Sequence, residues 1–238
     1  MNNRNIAGPF VLGALLCIGL AILGYFISSG IVRIRVLDRT VTVKGLSERD
    51  VPADIAIWPI KFSEASNNLI ELFTTIQSKN SSIVSFLKQG GFKDEEISVS
   101  VPAIIDRQAE GYMDATKQVR YSGSSTITVY SGDVGLIKKT MNNLVELGKS
   151  GIAISGQDYD TKTQFLFTKL NEIKPAMIEE ATRNAREVAE KFAKDSSSRL
   201  GKIRKASQGQ FTIDDRDTNT PHIKKVRVVS TVEYYLSD

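Results

Sequence analysis

Residues 54–91 read DIAIWPIKFSEASNNLIELFTTIQSKNSSIVSFLKQGG, and the change of period inside them decides the fold. Asp54–Ser63 alternates, with Ile55 and Ile57 on one face and Trp58, Ile60 and Phe62 on the other, which is the two-residue period of a strand. Pro59 cannot donate to a ladder, so it predicts an edge position or a bulge. Ser66 or Asn67 then caps a helix with the apolar stripe Leu69, Leu72, Phe73, Ile76, Ile83, Val84 and Leu87, and Gly90-Gly91 ends it.

Upstream, Thr40–Leu46 alternates Val41 and Val43 with polar neighbours and predicts a strand broken by Gly45 and by Ser47 to Pro52. Downstream, Glu96–Ile105 alternates Ile97, Val99 and Val101, and a polar loop with Gly111 leads to a strand over Lys117–Tyr130. Asp133 caps a helix carrying Val134, Ile137, Met141, Leu144 and Val145 inward, which Gly148 closes. Ile152–Tyr159 is again strand-like, with a continuation through Phe165 and Phe167. From Asp54 the order is therefore β-α-β-β-α-β, the split ferredoxin-like arrangement, and the fold class is α+β with helices over one sheet face.

A longer helix follows over Lys174 to Leu200, with Pro175 in its first turn and Gly201 as its cap. Ile178, Ala181, Ala185, Val188 and Phe192 make a narrow seam that packs on the sheet, with self-association as the alternative. Glu187 and Lys191 stand one helical turn apart and predict an ion pair worth about 0.3 kcal/mol. Strands over Lys202–Ile213 and His222–Leu236 finish the chain, joined by a polar turn from Asp214 to Asn219.

Composition excludes much chemistry. The chain has 238 residues, 31 Lys and Arg against 27 Asp and Glu, one Cys and one His. A disulfide needs two cysteines, and a zinc site usually takes three or four His or Cys ligands. The near balance of charge gives no footprint for nucleic acid. Between Arg4 and Arg33 no side chain is ionisable, and Phe10 to Ile27 is apolar apart from glycines and Tyr25. As a helix this segment spans a bilayer core. We therefore divide the chain into an anchor and its flank, residues 1–39, and a domain, residues 40–238, with membrane contact through residues 6–32. A cleaved signal peptide is the rival reading, disfavoured by the length of the apolar run and the lack of a small-residue cleavage site. Arg33, Arg35 and Arg39 outnumber Arg4, so the positive-inside rule taken alone puts the domain in the cytoplasm. Cys17 lies inside the apolar run as a packing residue, and the absence of cysteine elsewhere is compatible with an oxidising compartment.

Gly148-Lys149-Ser150 ends like a P-loop, but Asn143 stands where the first glycine belongs and a helix precedes it. Asp215, Asp217 and Asn219 imitate the start of an EF-hand loop, yet Thr220 and Val226 occupy the Gly and Glu positions. His222, beside Pro221, has no nucleophile partner evident in sequence. Arg199, Lys202, Arg204 and Lys205, with Lys224, Lys225 and Arg227, make either a solvated face or a patch for phosphates, lipid head groups or an acidic partner.

Thr40-Val41-Thr42-Val43-Lys44-Gly45-Leu46-Ser47-Glu48 resembles the opening strand of the SIMPL (DUF541) domain family, and Ala53-Asp54 falls where that family carries an Ala-Asp pair. Ala181, Ala185, Ala189 and Ala193, followed by Leu200-Gly201-Lys202-Ile203, resemble its alanine-rich helix and Leu-Gly step. The resemblance covers Thr40 to the C-terminus. It implies an exported or membrane-anchored bacterial envelope protein, associated with stress tolerance and forming homo-oligomers, and it carries over no catalytic residue. An uncleaved anchor departs from the many relatives that have a cleaved signal. The resemblance also implies a domain on the periplasmic side of the inner membrane, against the arginine bias.

The expectation is thus a non-enzymatic, single-pass protein with no catalytic, cofactor or metal residues and no nucleic-acid partner. It self-assembles through the edges of the Val226–Leu236 strand and the Pro59 strand. The rival is a binding module for a small ligand or envelope polymer, with an apolar site near Trp58, Phe62 and Phe92. A hydrolase using Asp106, Glu110 and Asp114 ranks last.

Overall fold

The alternating segment after Asp54 forms a strand and the apolar repeat after it a helix, as expected. The computed structural model describes residues 7–37, 39–109, 119–156 and 161–237. Its elements in chain order are α1 (Ala7–Leu37), β1 (Thr40–Pro52), β2 (Ile55–Ser66), α2 (Leu69–Gln89), β3 (Ile97–Val99), β4 (Ala103–Asp106), β5 (Tyr121–Ser131), α3 (Val134–Asn142), α4 (Val145–Lys149), β6 (Gln164–Leu166), α5 (Leu170–Asp195), β7 (Arg199–Gln208), β8 (Thr212–Asp215) and β9 (Ile223–Ser237). Val11–Ser29 within α1 is long and apolar enough to cross a membrane and has no buried residue, a description that also fits a signal sequence.

The chain folds into two compact units, with boundaries inside α5, β1 and β9. Residues 49–173 and 212–226 form the split-sheet unit. Its sheet has the order β3-β5-β2-β6, with β4 also on β5. The pairings of β2 with β5, β2 with β6 and β3 with β5 are antiparallel. In chain order these elements are β2-α2-β3-β5-α3-β6, with β5 between β2 and β3, so the split β-α-β topology is realised. Ala56, Trp58, Ile60 and Phe62 of β2, with Ile127 and Val129 of β5, face Leu72, Ile76, Ile83 and Leu87 of α2 and Ile137 of α3. Each Ile or Phe buried there stabilises by about 1.5–3 kcal/mol.

Several local expectations are corrected. The cap of α2 is Asn68, whose Oδ1 accepts from the amides of Ile70 and Glu71, and Leu69 and Phe73 stay exposed beyond the stripe. The expected Glu96–Ile105 strand is two pieces. Its partners shift from Val99↔Ile127 to Ala103↔Ser124, one extra residue on this side, which is a bulge. Such a shift reverses the faces, so Ile97 before it and Ile104 after it both pack on the core while Val101 is 90% exposed. Pro102 sits in the gap, where no ladder amide is needed. The helix after Asp133 breaks at Asn143, leaving Val145 exposed. Gly148 lies within α4, and the chain turns at Gly151 with φ +78°. Of the strand expected over Ile152–Tyr159, a single bridge from Ile154 to Phe62 is described, and residues 157–160 lie outside the described residues.

The other unit holds residues 1–48, 174–211 and 227–238. β9 lies between β1 and β7, and α5 packs on this sheet through Ala185 and Ala189 against Val43, Val232 and Tyr234. β1 does not stop at Gly45. A Cβ there would lie 1.8 Å from the Ala181 carbonyl oxygen and 2.4 Å from the Ala185 nitrogen, so the glycine lets strand and helix backbones meet. Two bonds hold the crossing: Ser47 Oγ donates to Glu180 at 3.0 Å, and Asn184 Nδ2 donates to the Leu46 carbonyl at 2.8 Å.

The helical seam is also corrected. The buried stripe is Met177, Ala181, Ala185, Ala189 and Ala193, while Val188 is exposed and Phe192 is 55% exposed. α5 ends at Asp195, with Ser197 at φ +54°, so Leu200-Gly201 belongs to β7 rather than to a helix cap. The ion pair on α5 is Arg186–Glu190 at 3.1 Å, and Glu187–Lys191 forms none among the described residues.

Candidate functional site

A cleft of about 510 Å³ opens in the split-sheet unit between α3, the segment entering β6 and the turn before β9. Asp133 caps α3 by accepting from the Leu136 amide at 2.8 Å, and the helix so started projects Lys138, Met141 and Asn142 to the cleft. Lys162, Thr163 and Phe165 come from the segment that becomes β6. The far wall is the turn Thr218–His222, built around Asp217. Asp217 Oδ1 accepts from the amides of Asn219 at 2.9 Å and Thr220 at 2.7 Å, and Oδ2 takes the Thr220 hydroxyl and, at 3.1 Å, the Arg216 guanidinium. These bonds, Thr220 first and then Arg216, hold the Asp217 carboxyl down at about 2.

His222 ends this turn. Its carbonyl accepts from the Ala53 amide at 2.8 Å, and its ring meets Phe165 edge-on with centroids 6.0 Å apart. Its Nε2 lies 2.9 Å from Lys138 Nζ. An ammonium can only donate, so Nε2 accepts and the ring proton resides on Nδ1. Burial, then the Lys138 and Arg216 charges, push the imidazole below its usual range against the opposing pull of Asp217. A neutral His222 thus faces Lys138, with Lys162 on the same cleft. Among the described residues no carboxylate lines it. Asp217 is committed to its own turn, and the adjoining Asp215 pairs with Lys224.

The residues singled out from sequence scatter. Trp58, Phe62 and Phe92 are all buried in the core, where they pack with the other apolar residues of the split-sheet unit. Asp106 grips Arg120 through both carboxylate oxygens, while Glu110 and Asp114 lie outside the described residues. Lys149 pairs with Glu146 at 2.8 Å and Ser150 caps α4. Asp215 and Asp217 are engaged as described, and no group of three or more metal-ligating side chains occurs among the described residues. In the basic run, Arg204 pairs with Glu233, Arg227 with Glu48 and Lys224 with Asp215. Both strands expected at sheet edges are interior: β9 lies between β1 and β7, and β2 between β5 and β6. Among the described residues β6 pairs with β2 only from Ile55 to Ile57 and the next bridge on that side is at Phe62, so no described ladder partner calls for an amide at Pro59.

His222 is visible in the sequence but the cleft is not, because Lys138, Lys162 and His222 are far apart in the chain and share no motif. Pro221-His222 after a polar turn was the only local signal.

Fold and chain order define an α+β protein with a split β-α-β sheet, a second helix-on-sheet unit and an apolar N-terminal helix. Comparison with protein-family models matches residues 41–233 to SIMPL, a protein of unknown function (DUF541), and the chain belongs to that family. A comparison with curated proteins gave no match. The residues that carried the resemblance turn out to be structural. Gly45 meets Ala181 and Ala185, and Asp54 accepts from the Thr168 amide at 2.8 Å and hydroxyl at 2.7 Å, tying the start of β2 to the segment after β6.

Proposed function

We propose that this SIMPL protein is a non-enzymatic, single-pass component of the cell envelope that self-associates through β7, with its domain on the extracytoplasmic side of the inner membrane. The observation that carries the reading is the state of β7. Among the described residues it pairs with β9 on one side only, and Lys202 to Gln208 are exposed throughout, including Ile203 at 48%. An open edge of this kind templates pairing with another chain. Lys202 and Lys205 weaken such pairing between dilute copies, and α1 compensates by holding copies at high local concentration. A contribution to envelope stress tolerance accompanies this reading through the family resemblance.

The test is the native mass of the full-length protein in a non-ionic detergent, by light scattering on a sizing column. A discrete multiple of 26.2 kDa is expected, collapsing toward the monomer in Ile203→Lys. A monomeric wild-type chain, or an oligomer indifferent to that substitution, overturns the β7 mechanism. A second reading, the binding module, is favoured by a different observation: the cationic cleft at His222.

A further inference from the structure

We propose that the cleft bounded by Lys138, Lys162 and His222 binds a soluble organic anion of the phosphate monoester class, whose apolar part rests on Phe165 and Met141. This deepens the second reading of the cleft as a binding site and is independent of assembly through β7.

Charge, volume and an unsatisfied polar group all lead there. Lys138 has His222 as its sole partner among the described residues, and Lys162 has none. Two ammonium groups on one concave surface, with no lining carboxylate among the described residues, leave a positive potential that a bound anion neutralises. The volume, about 510 Å³, far exceeds an inorganic anion and lies within the range of small-molecule sites. Thr163 is 6% exposed, and its hydroxyl oxygen has no hydrogen-bond partner among the described residues, although Thr163 lines the cleft. Buried hydroxyls are normally bonded, so one left without a protein partner at a cleft wall marks a place for a polar atom from outside.

The Lys138–His222 contact gives the site a coupling to protons. The ammonium that repels a proton from His222 is the group an anion neutralises, so binding raises the proton affinity of His222 and low pH favours binding. The charged groups around the ring are Lys138 from α3, Lys162 before β6, and Arg216 and Asp217 from the turn. The Lys224–Asp215 pair lies in the adjoining hollow. Arg216 is held by Asp217 and lies 4.0 Å from Asp50, and Asp217 stays ionised, so the proton coupling is carried by His222, whose pKa its surroundings lower.

Because the chain has a single histidine, its imidazole signals are unambiguous. Full-length protein in dodecyl maltoside micelles, labelled with [13Cε1]-histidine, is titrated with phenyl phosphate, with phenol, and separately with phosphatidic acid doped into the micelles. The expected result is a saturable shift of the His222 signal with phenyl phosphate and none with phenol, a higher His222 pKa in the saturated protein, and about tenfold weaker binding in Lys162→Gln. Lys162 is exposed, so this variant keeps its fold. No saturable shift with phenyl phosphate, an equal response to phenol, or unchanged affinity in Lys162→Gln overturns the proposal. A response to phosphatidic acid alone also overturns it, by assigning the cleft to lipid. None of these outcomes depends on the oligomeric state.

Discussion

At the scale of the residue, two glycines with opposite surroundings separate function from accident. Gly45→Ala drives a methyl group into the backbone of α5, which cannot retract as a flexible side chain would. We expect a loss of at least about 3 kcal/mol, the upper end of overpacking costs. Gly148→Ala meets nothing within 4 Å inside α4 and is expected to stabilise by about 0.5–1 kcal/mol. Thermal unfolding of both variants checks the pair, and similar melting temperatures would refute the close approach at Gly45. Asp54→Ala removes two bonds to a carboxylate and is expected to cost about 1–3 kcal/mol, read by the same measurement. His222 adds a pH term with a definite sign. Its folded pKa is depressed, so the neutral ring contributes fully above the usual 6.5, and this contribution is lost as pH falls from there toward the lowered folded value. Denaturant unfolding at about pH 7.5 and about pH 5.5 should show a larger loss in the wild type than in His222→Gln. Parallel losses in the two would mean that the ring is not held neutral by its surroundings.

The elements show what the sequence could disclose. The two-residue period of Ala56, Trp58, Ile60 and Phe62 and the helical stripe of α2 carry their own burial signal, so strand, helix and β-α-β-β-α-β order were legible. The α5 seam was not. Its large apolar residues, Val188 and Phe192, point outward while alanines face the sheet, because α5 lies close to β1 and the narrow space at Gly45 admits nothing larger. Hydrophobicity alone ranks phenylalanine above alanine and so chooses the wrong face. Edge or interior position was likewise beyond local reading: Pro59 lies on an interior strand, and the described pairing of β6 stops short of it at Ile57. The cleft was hidden for the same reason, since Lys138, Lys162 and His222 come from three separate segments. The seam correction is testable. Phe192→Ser should change stability by less than about 0.5 kcal/mol, whereas Ala189→Leu should cost about 1–3 kcal/mol. Circular dichroism melts that reversed this order would restore the original face.

For the whole molecule, two charges of information about topology compete. Arg33, Arg35 and Arg39 follow the apolar helix and Arg4 precedes it, so the positive-inside bias retains the domain in the cytoplasm. Family resemblance and the absence of cysteine outside α1 are consistent with export. A folded domain of this size translocates largely without regard to its own charge, so only the short flanks weigh against export, and three arginines adjoining the membrane form a modest barrier. The single native cysteine, Cys17, lies within the apolar helix, which leaves the soluble chain free for a reporter. In Ser82→Cys, an exposed position on α2, the proposal predicts labelling by a membrane-impermeant maleimide in intact spheroplasts, with wild-type protein unlabelled as the control. Labelling of Ser82→Cys only after the membrane is permeabilised would place the domain in the cytoplasm, and the arginine flank would then have decided the topology. The cleft and β7 would both remain, but their anion and their partner copies would have to be sought in the cytoplasm.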